Sequence, residues 1–213
     1  MILYAQTVAP AAEPLSAADL RAHARITDTS EDALLTAYLL AARTAIEQRL
    51  GTALITQTWT ASLRAWPSPS GSRRVVDEDD LSMLFYLSSL SGGEGHYRIP
   101  LRPAPVQSVT SVTVDGVALD AALWRRVGDE VHVSTTAARP AETMATAGIV
   151  VTFVTGYGNA AAAPAPLVMA LRLLAAHLYE NREATAPAEM AVAALPLGVD
   201  MLLRPYEHMR GLG

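Results

Sequence analysis

The sequence predicts an α+β protein: a helical body of two N-terminal and two C-terminal helices, with a small antiparallel β domain inserted between them. Three observations carry that prediction. Apolar residues recur at helical spacing before Gly51 and again after Pro166. Between those segments the period falls to two, and β-branched residues dominate. Each outer helical segment has an apolar stripe and no partner of its own, so the two must meet. The expected division is 1–52 for the N-terminal helical part, 53–158 for the β insert and 159–213 for the C-terminal helical part.

The first helix signal is "PLSAADLRAHARI". Ser16 can cap it, and Asp19, three residues on, completes a capping box at the positive helix end. A short helix from Ala17 to about Arg25 is predicted. In "TDTSEDALLTAYLLAARTAIEQRLG", Thr29 or Ser30 is the expected cap, with Glu31 and Asp32 in the first turn. Leu35, Leu39, Ala42, Ile46 and Leu50 then form one stripe facing a core. Arg49 suits the negative end, and Gly51 stops a helix of about five turns.

The period then changes. In "ALITQTWTASL", Ile55, Trp59, Ala61 and Leu63 share a face. "WPSPSGS" breaks the strand. Residues 73–96 join an acidic run to an apolar one, and a helix capped by Asp77, a strand or a loop all remain open there. Asp115-Gly116 marks one hairpin and Gly128-Asp129 a second. "GIVVTFVTGYG" is apolar on both faces, which predicts a central strand ended by its glycines. After the linker "NAAAAPAP", a helix begins at Pro166 or Leu167 and runs to near Glu183. Leu167, Leu171, Leu174 and Leu178, with Val168 and Leu173, cover most of its circumference. Gly198 to Arg204 reads as a last short helix closed by Pro205.

Composition excludes several functions. The 213 residues are 51% hydrophobic and include no cysteine, so disulfides, thiolate metal sites and thiol catalysis are ruled out. The formal net charge of -5 argues against a non-specific nucleic-acid coat. Every cation is arginine, a residue that pairs in forks with carboxylates. "MILYAQTVAP" lacks the positive start of a secretory signal. The longest apolar stretch, Leu167 to Tyr179, contains Arg172 and His177 and falls short of the ~20 residues of a bilayer span. A soluble chain made in the cytosol, without membrane contact, is expected.

Candidate chemistry is thin. "HLYENRE" puts His177 and Glu180 on one helix flank, but no second histidine completes a zinc helix. "DEDD", Asp77 to Asp80, neither alternates nor contains the glycine of a calcium loop. A metal-dependent hydrolase would have to assemble Asp77, Asp79, Asp80 and His96. "TGYGN", Thr155 to Asn159, lacks the spacing and the lysine of a phosphate loop, and reads as a strand exit needing positive φ. Trp59, Trp66 and Trp124 read as fillers of a small β core or a subunit seam. No cofactor and no catalytic residue are expected.

Six segments stand in a telling order: "LSAADLRAHARI", "EDALLTAYLLAARTAIEQRLGTALITQTWT", "IPLRPAPVQSVTSVT", "VTFVTGYG", "PAPLVMALRLLAAHLYENREA" and "LPLGVDMLLRPY". This order resembles the head–tail connector family, the adaptors of long-tailed phages and of phage-derived gene transfer agents. The resemblance spans Leu15 to Tyr206 and departs at Pro67 to His96, where this chain is longer.

The resemblance implies a structural, non-enzymatic role in the virion neck, after assembly in the bacterial cytoplasm. The helical body would form a ring of about twelve copies, closed by head-to-tail contacts. The ring would sit between the portal and a tail-completion or stopper protein, with double-stranded DNA only passing through its channel. A bore without cations would not trap phosphates. The C-terminal segment would dock on the portal through Leu195, Pro196, Leu197, Leu202, Leu203, Arg204, Pro205 and Tyr206. Arg43, Arg49, Glu180 and Arg182 are the candidate subunit contacts, and Ala41, Ala42 and Ala45 permit close helix approach. A stopper or tail-terminator protein is the structural alternative; the hydrolase is the alternative of another class.

Overall fold

The computed structural model describes residues 2–67, 95–140, 148–181 and 197–208. The chain divides into two compact units. One comprises Val8–Thr58, Pro103–Gln107 and Thr155–Gly213; the other comprises Met1–Thr7, Trp59–Arg102 and Ser108–Val154.

The first unit holds four α-helices among the described residues: α1 (Ala17–Ala24), α2 (Asp32–Leu50), α3 (Ala165–Glu180) and α4 (Leu197–His208). The Ser16 capping box forms as predicted. The Ser16 hydroxyl oxygen accepts from the Asp19 N–H at 3.2 Å, and the Asp19 carboxylate accepts from the Ser16 N–H at 2.8 Å. The Ser16 hydroxyl also donates to the Asp19 carboxylate, and that bond first, then the Ser16 N–H, hold the Asp19 carboxyl below its ordinary range.

The cap of α2 differs from expectation. Glu31 is its N-cap and makes no side-chain capping bond. Ser30 is instead held by Asp28, which accepts from its N–H at 2.9 Å and its hydroxyl at 2.6 Å. Gly51 ends α2 at φ 61, as the sequence predicts.

Helix α3 ends at Glu180, three residues before the expected Glu183; Asn181 is its C-cap and donates its N–H to the His177 carbonyl at 3.0 Å. Pro205 does not close α4, which continues to His208 with the proline inside it. The missing N–H removes a single bond, to the Met201 carbonyl, and packing elsewhere on the helix retains the rest.

The core of this unit is the predicted one. Leu35, Leu39, Ala42, Ile46 and Leu50 of α2 are all buried, beside Leu20 of α1 and Leu167, Leu171 and Leu174 of α3. Val199 and Leu203 bring α4 into the same cluster. Each leucine so enclosed contributes about 2 kcal/mol.

A largely buried ion network lies within the unit. Arg43 is only 6% exposed. Its Nε and Nη2 donate to the two Glu13 oxygens at 2.7 and 3.2 Å, and its Nη1 donates to Glu47 at 2.6 Å. The other Glu47 oxygen accepts from the Leu54 N–H at 2.8 Å and the Gln57 amide at 3.1 Å. Burial lifts the Glu47 carboxyl above its ordinary range, opposed by the Leu54 N–H and by Arg43. One guanidinium thus ties the segment before α1 to α2, and α2 to the approach to the next strand.

The strands are β1 (Leu3–Val8), β2 (Gln57–Leu63), β3 (His96–Pro100), β4 (Val106–Val114), β5 (Val117–Ala118), β6 (Trp124–Val127), β7 (Glu130–Ser134) and β8 (Ile149–Thr155). They form a five-stranded sheet of order β1-β2-β8-β4-β5 and a three-stranded sheet of order β3-β7-β6. The β4–β5, β3–β7 and β6–β7 pairs are antiparallel. Strand β8 is central, as its two apolar faces predict, with Ile149, Val151 and Phe153 fully buried. The Asp115-Gly116 turn takes φ 50 and 81, the left-handed pair of a tight hairpin. Gly128, φ 59, turns the β6–β7 hairpin. Strand β1 is an element the sequence did not predict. In the same unit as β3, the Trp66 ring stacks on Tyr97 at 5.2 Å and its indole N–H donates to the Ala138 carbonyl at 2.9 Å.

The exit of β8 shows why "TGYG" ends it. The Thr155 hydroxyl lies 2.6 and 2.8 Å from the Pro103 and Pro105 carbonyls. Gly156 has φ 114 and donates its N–H to Pro105 at 2.9 Å. A Cβ there would collide with the Ile55 carbonyl group.

Three substitutions have defined stability outcomes. Gly116→Ala meets open space, so its cost is that of φ alone, about 1 kcal/mol. Gly156→Ala adds a backbone clash and costs at least about twice that, read from the urea midpoint. Arg43→Met leaves the Glu47 carboxylate enclosed without its cation, and the same measurement should show a loss of about 3 kcal/mol.

Candidate partner-binding surface

Helix α4 is amphipathic, and its phase decides what it can offer. Val199 and Leu203 are fully buried, while Leu202 and Tyr206 pack partly against the core. Positions 201, 204 and 205 therefore face outward together. Met201 is 76% exposed, the Arg204 side chain is 72% exposed, and Pro205 is exposed.

Arg49, near the end of α2, clamps this helix from the side. Its guanidinium donates to Asp200 and to Glu207, two acids seven residues apart on one face of α4. Arg204 adds a longer contact to Asp200 at 3.2 Å. The Asp200 carboxyl is held below its ordinary range, chiefly by its hydrogen bond from Arg49. A second polar link joins α3 to the start of α2: the Tyr179 hydroxyl donates to the Glu31 carboxylate, and Tyr38 meets the Tyr179 ring edge-on at 6.2 Å.

The sequence-predicted docking residues separate on this frame. Leu203 belongs to the core, Leu202 and Tyr206 lie at its margin, and Arg204 and Pro205 face out. Leu197 opens α4. Leu195, Pro196 and Arg182 lie outside the described residues. Arg43 and Arg49 are engaged within their own chain, whereas Glu180 is exposed at the end of α3. Sequence reasoning missed Met201. The signal was present: two residues along a helix turn a side chain by roughly 200°, so a buried Val199 sends Met201 outward.

The other candidate chemistry is sparse. His177 is exposed and is met by Asn181, whose amide lies 3.1 Å from its Nδ1. Asp77, Asp79 and Asp80 lie outside the described residues. His96 stacks on His132 at 6.3 Å, and His132 pairs with Glu130 at 2.9 Å. These histidines, with Trp124, Arg125 and Ser134, line a cavity of about 450 Å³. Among the described residues, no group of three or more histidine, aspartate or glutamate side chains is placed to hold a metal ion. None of the described helices is long and apolar enough to cross a membrane.

Comparison with known proteins gives this frame its context. The profile of the phage gp6-like head-tail connector proteins matches residues 16–81, which include α1 and α2. Over 96% of this chain and 94% of the other, the structure is similar to a chain from the neck of an empty gene transfer agent particle computed with C6 symmetry, at 30% identity and a TM-score of 0.67. A chain from the neck of a native particle computed with C12 symmetry matches with the same coverage, at 27% identity and a TM-score of 0.66. A chain of the native virion matches at 27% identity and a TM-score of 0.63. No curated protein matches the sequence. The likeness runs through the helices and both sheets at an identity that shows common descent, and the chain belongs to the gp6-like head–tail connector family.

Proposed function

We propose that this chain is the head–tail adaptor of a gene transfer agent or phage particle. It is one subunit of a ring of about twelve copies, set in the virion neck between the portal and the next tail-completion protein, where it extends the DNA channel. One observation carries the reading: nearly the whole chain matches a subunit of a neck resolved with C12 symmetry. The composition agrees with it. A chain of net charge -5 without lysine has no surplus of cations with which to hold passing DNA. The role is structural, and assembly takes place in the bacterial cytoplasm. Neither a stopper or tail terminator nor a metal-dependent hydrolase is favoured by the family match.

Docking to the portal falls to the segment around Leu195 and to the outward face of α4. Arginine is common at binding hot spots, and Met201 beside it supplies exposed apolar area. The inward face of α4 belongs to the core, so removing the helix would disturb the fold as well as the dock.

Particles made without this chain are expected to fill with DNA and lack tails, as counted by electron microscopy. Tailed, transducing particles without it would overturn the reading. The double variant Met201→Glu, Arg204→Glu is expected to keep its circular dichroism and lose portal binding by about tenfold or more. Unchanged binding would move the dock elsewhere.

Acid should loosen α4. The Asp200 carboxyl is lower in the folded chain than its ordinary 3.8, so its contribution is complete above that pH and disappears as pH falls through the folded value. Methyl NMR of Val199 and Leu203 between pH 7 and about 2 checks this. Arg49→Gln should remove the acid-dependent step that Asp200 contributes.

A further inference from the structure

The outward side of α2 is an uncharged face over most of the helix. Its inward half carries Leu35, Leu39, Ala42, Ile46 and Leu50 in the core. Both of its mid-helix charges, Arg43 and Glu47, join the network with Glu13 and Leu54. What faces out is Ala33, Leu34, Ala37, Leu40, Ala41 and Ala45, all exposed. Leu34 and Leu40 are 37% and 47% exposed. Thr36 and Thr44 stand on the same side, but their hydroxyls donate back to the Asp32 and Leu40 carbonyls at 2.8 and 2.9 Å. They therefore present methyl groups. The face extends about 22 Å at 1.5 Å per residue and ends in polar Gln48.

Surfaces of independent domains ordinarily intersperse charge about once in every three or four positions. Here none occurs on half a helix circumference. We propose that this face of α2 is a subunit–subunit contact, covered by a second copy of the same chain; the inference rests on the adaptor reading above. Three arguments select that occupant. Related chains come from necks computed with C12 and C6 symmetry, which set several copies of one chain around an axis. Copies of net charge -5 repel one another overall, and an uncharged patch is where they can meet without like-charge pairs at the contact. DNA is excluded as the occupant, because the face offers no cation to a phosphate. Small alanines let another helix or strand approach closely, while Leu34 and Leu40 supply the apolar area. The partner surface on the neighbour is a different one, as head-to-tail closure of a ring requires.

The chain has no cysteine, so Ala41→Cys introduces a unique thiol. The full chain, labelled there with a benzophenone maleimide, is incorporated into particles and irradiated. The expected product has twice the 22.6 kDa subunit mass and yields only peptides of this chain. Attachment to a different protein, or no product from particles that contain the chain, overturns the inference. In a second arm, Leu40→Glu should keep the melting temperature and circular dichroism of the monomer. It should reduce incorporation into particles by about tenfold or more. Normal incorporation of that variant overturns the inference as well. A wild-type chain absent from the neck altogether would instead overturn the adaptor reading.

Discussion

The helical unit depends on one buried cation. Arg43 sits in the middle of α2 and reaches two carboxylates, one on its own helix and one in the segment before α1. Without Glu13 and Glu47 a guanidinium could not remain in that place, because a lone enclosed charge is too costly. Without Arg43 the carboxylates would repel each other. The geometry also explains why arginine stands there. Three N–H groups fan out in a plane to meet oxygens on two sides, which a lysine ammonium on a single stem does less well. Glu47 carries the effect onward through the Leu54 N–H and the Gln57 amide. The direction of the chain as it leaves α2 is thereby set by a residue eleven positions before Leu54.

Helix α2 therefore has two sides with different duties. Its inward half organises the subunit, combining an apolar stripe with one satisfied ion network. Its outward half is free of charge because the mid-helix charges are engaged inside. The proposed ring subunit needs that asymmetry: it must be stable enough to fold and still leave apolar area for its neighbours. Helix α4 repeats the arrangement on a smaller scale. Val199 and Leu203 hold it, Arg49 steers it, and Met201 and Arg204 stay exposed on its other side.

Much of this was legible in the residues. The stripe from Leu35 to Leu50 is strongly periodic, and all five positions are buried. The Ser16-Asp19 box and the Asp115-Gly116 turn are local chemistry, so short windows suffice to read them. What was missed depends on distance. Arg43, four residues from Glu47, looks like an ordinary surface cation until Glu13, thirty positions away, is placed beside it. Arg49 looks like a C-terminal dipole partner, yet its acids lie more than 150 positions on. Strand β1 gave no signal because "LYAQTV" neither alternates nor buries a side chain fully. Pro205 misled because proline is read as a stop, whereas a helix packed by Val199 and Leu203 tolerates losing one bond. Met201 was overlooked because leucines were counted without regard to their phase.

The two arginines of α2 differ in one further respect. Arg43 and Glu47 are 7% and 12% exposed as side chains, so mobile ions hardly enter between them. Arg49 and its partners are about one-third exposed, within ready reach of a Debye atmosphere. Raising ionic strength therefore weakens the hold on the C-terminal helix and leaves the centre of the bundle nearly untouched. A single helix thus carries a salt-tolerant joint at its middle and a salt-responsive joint at its end.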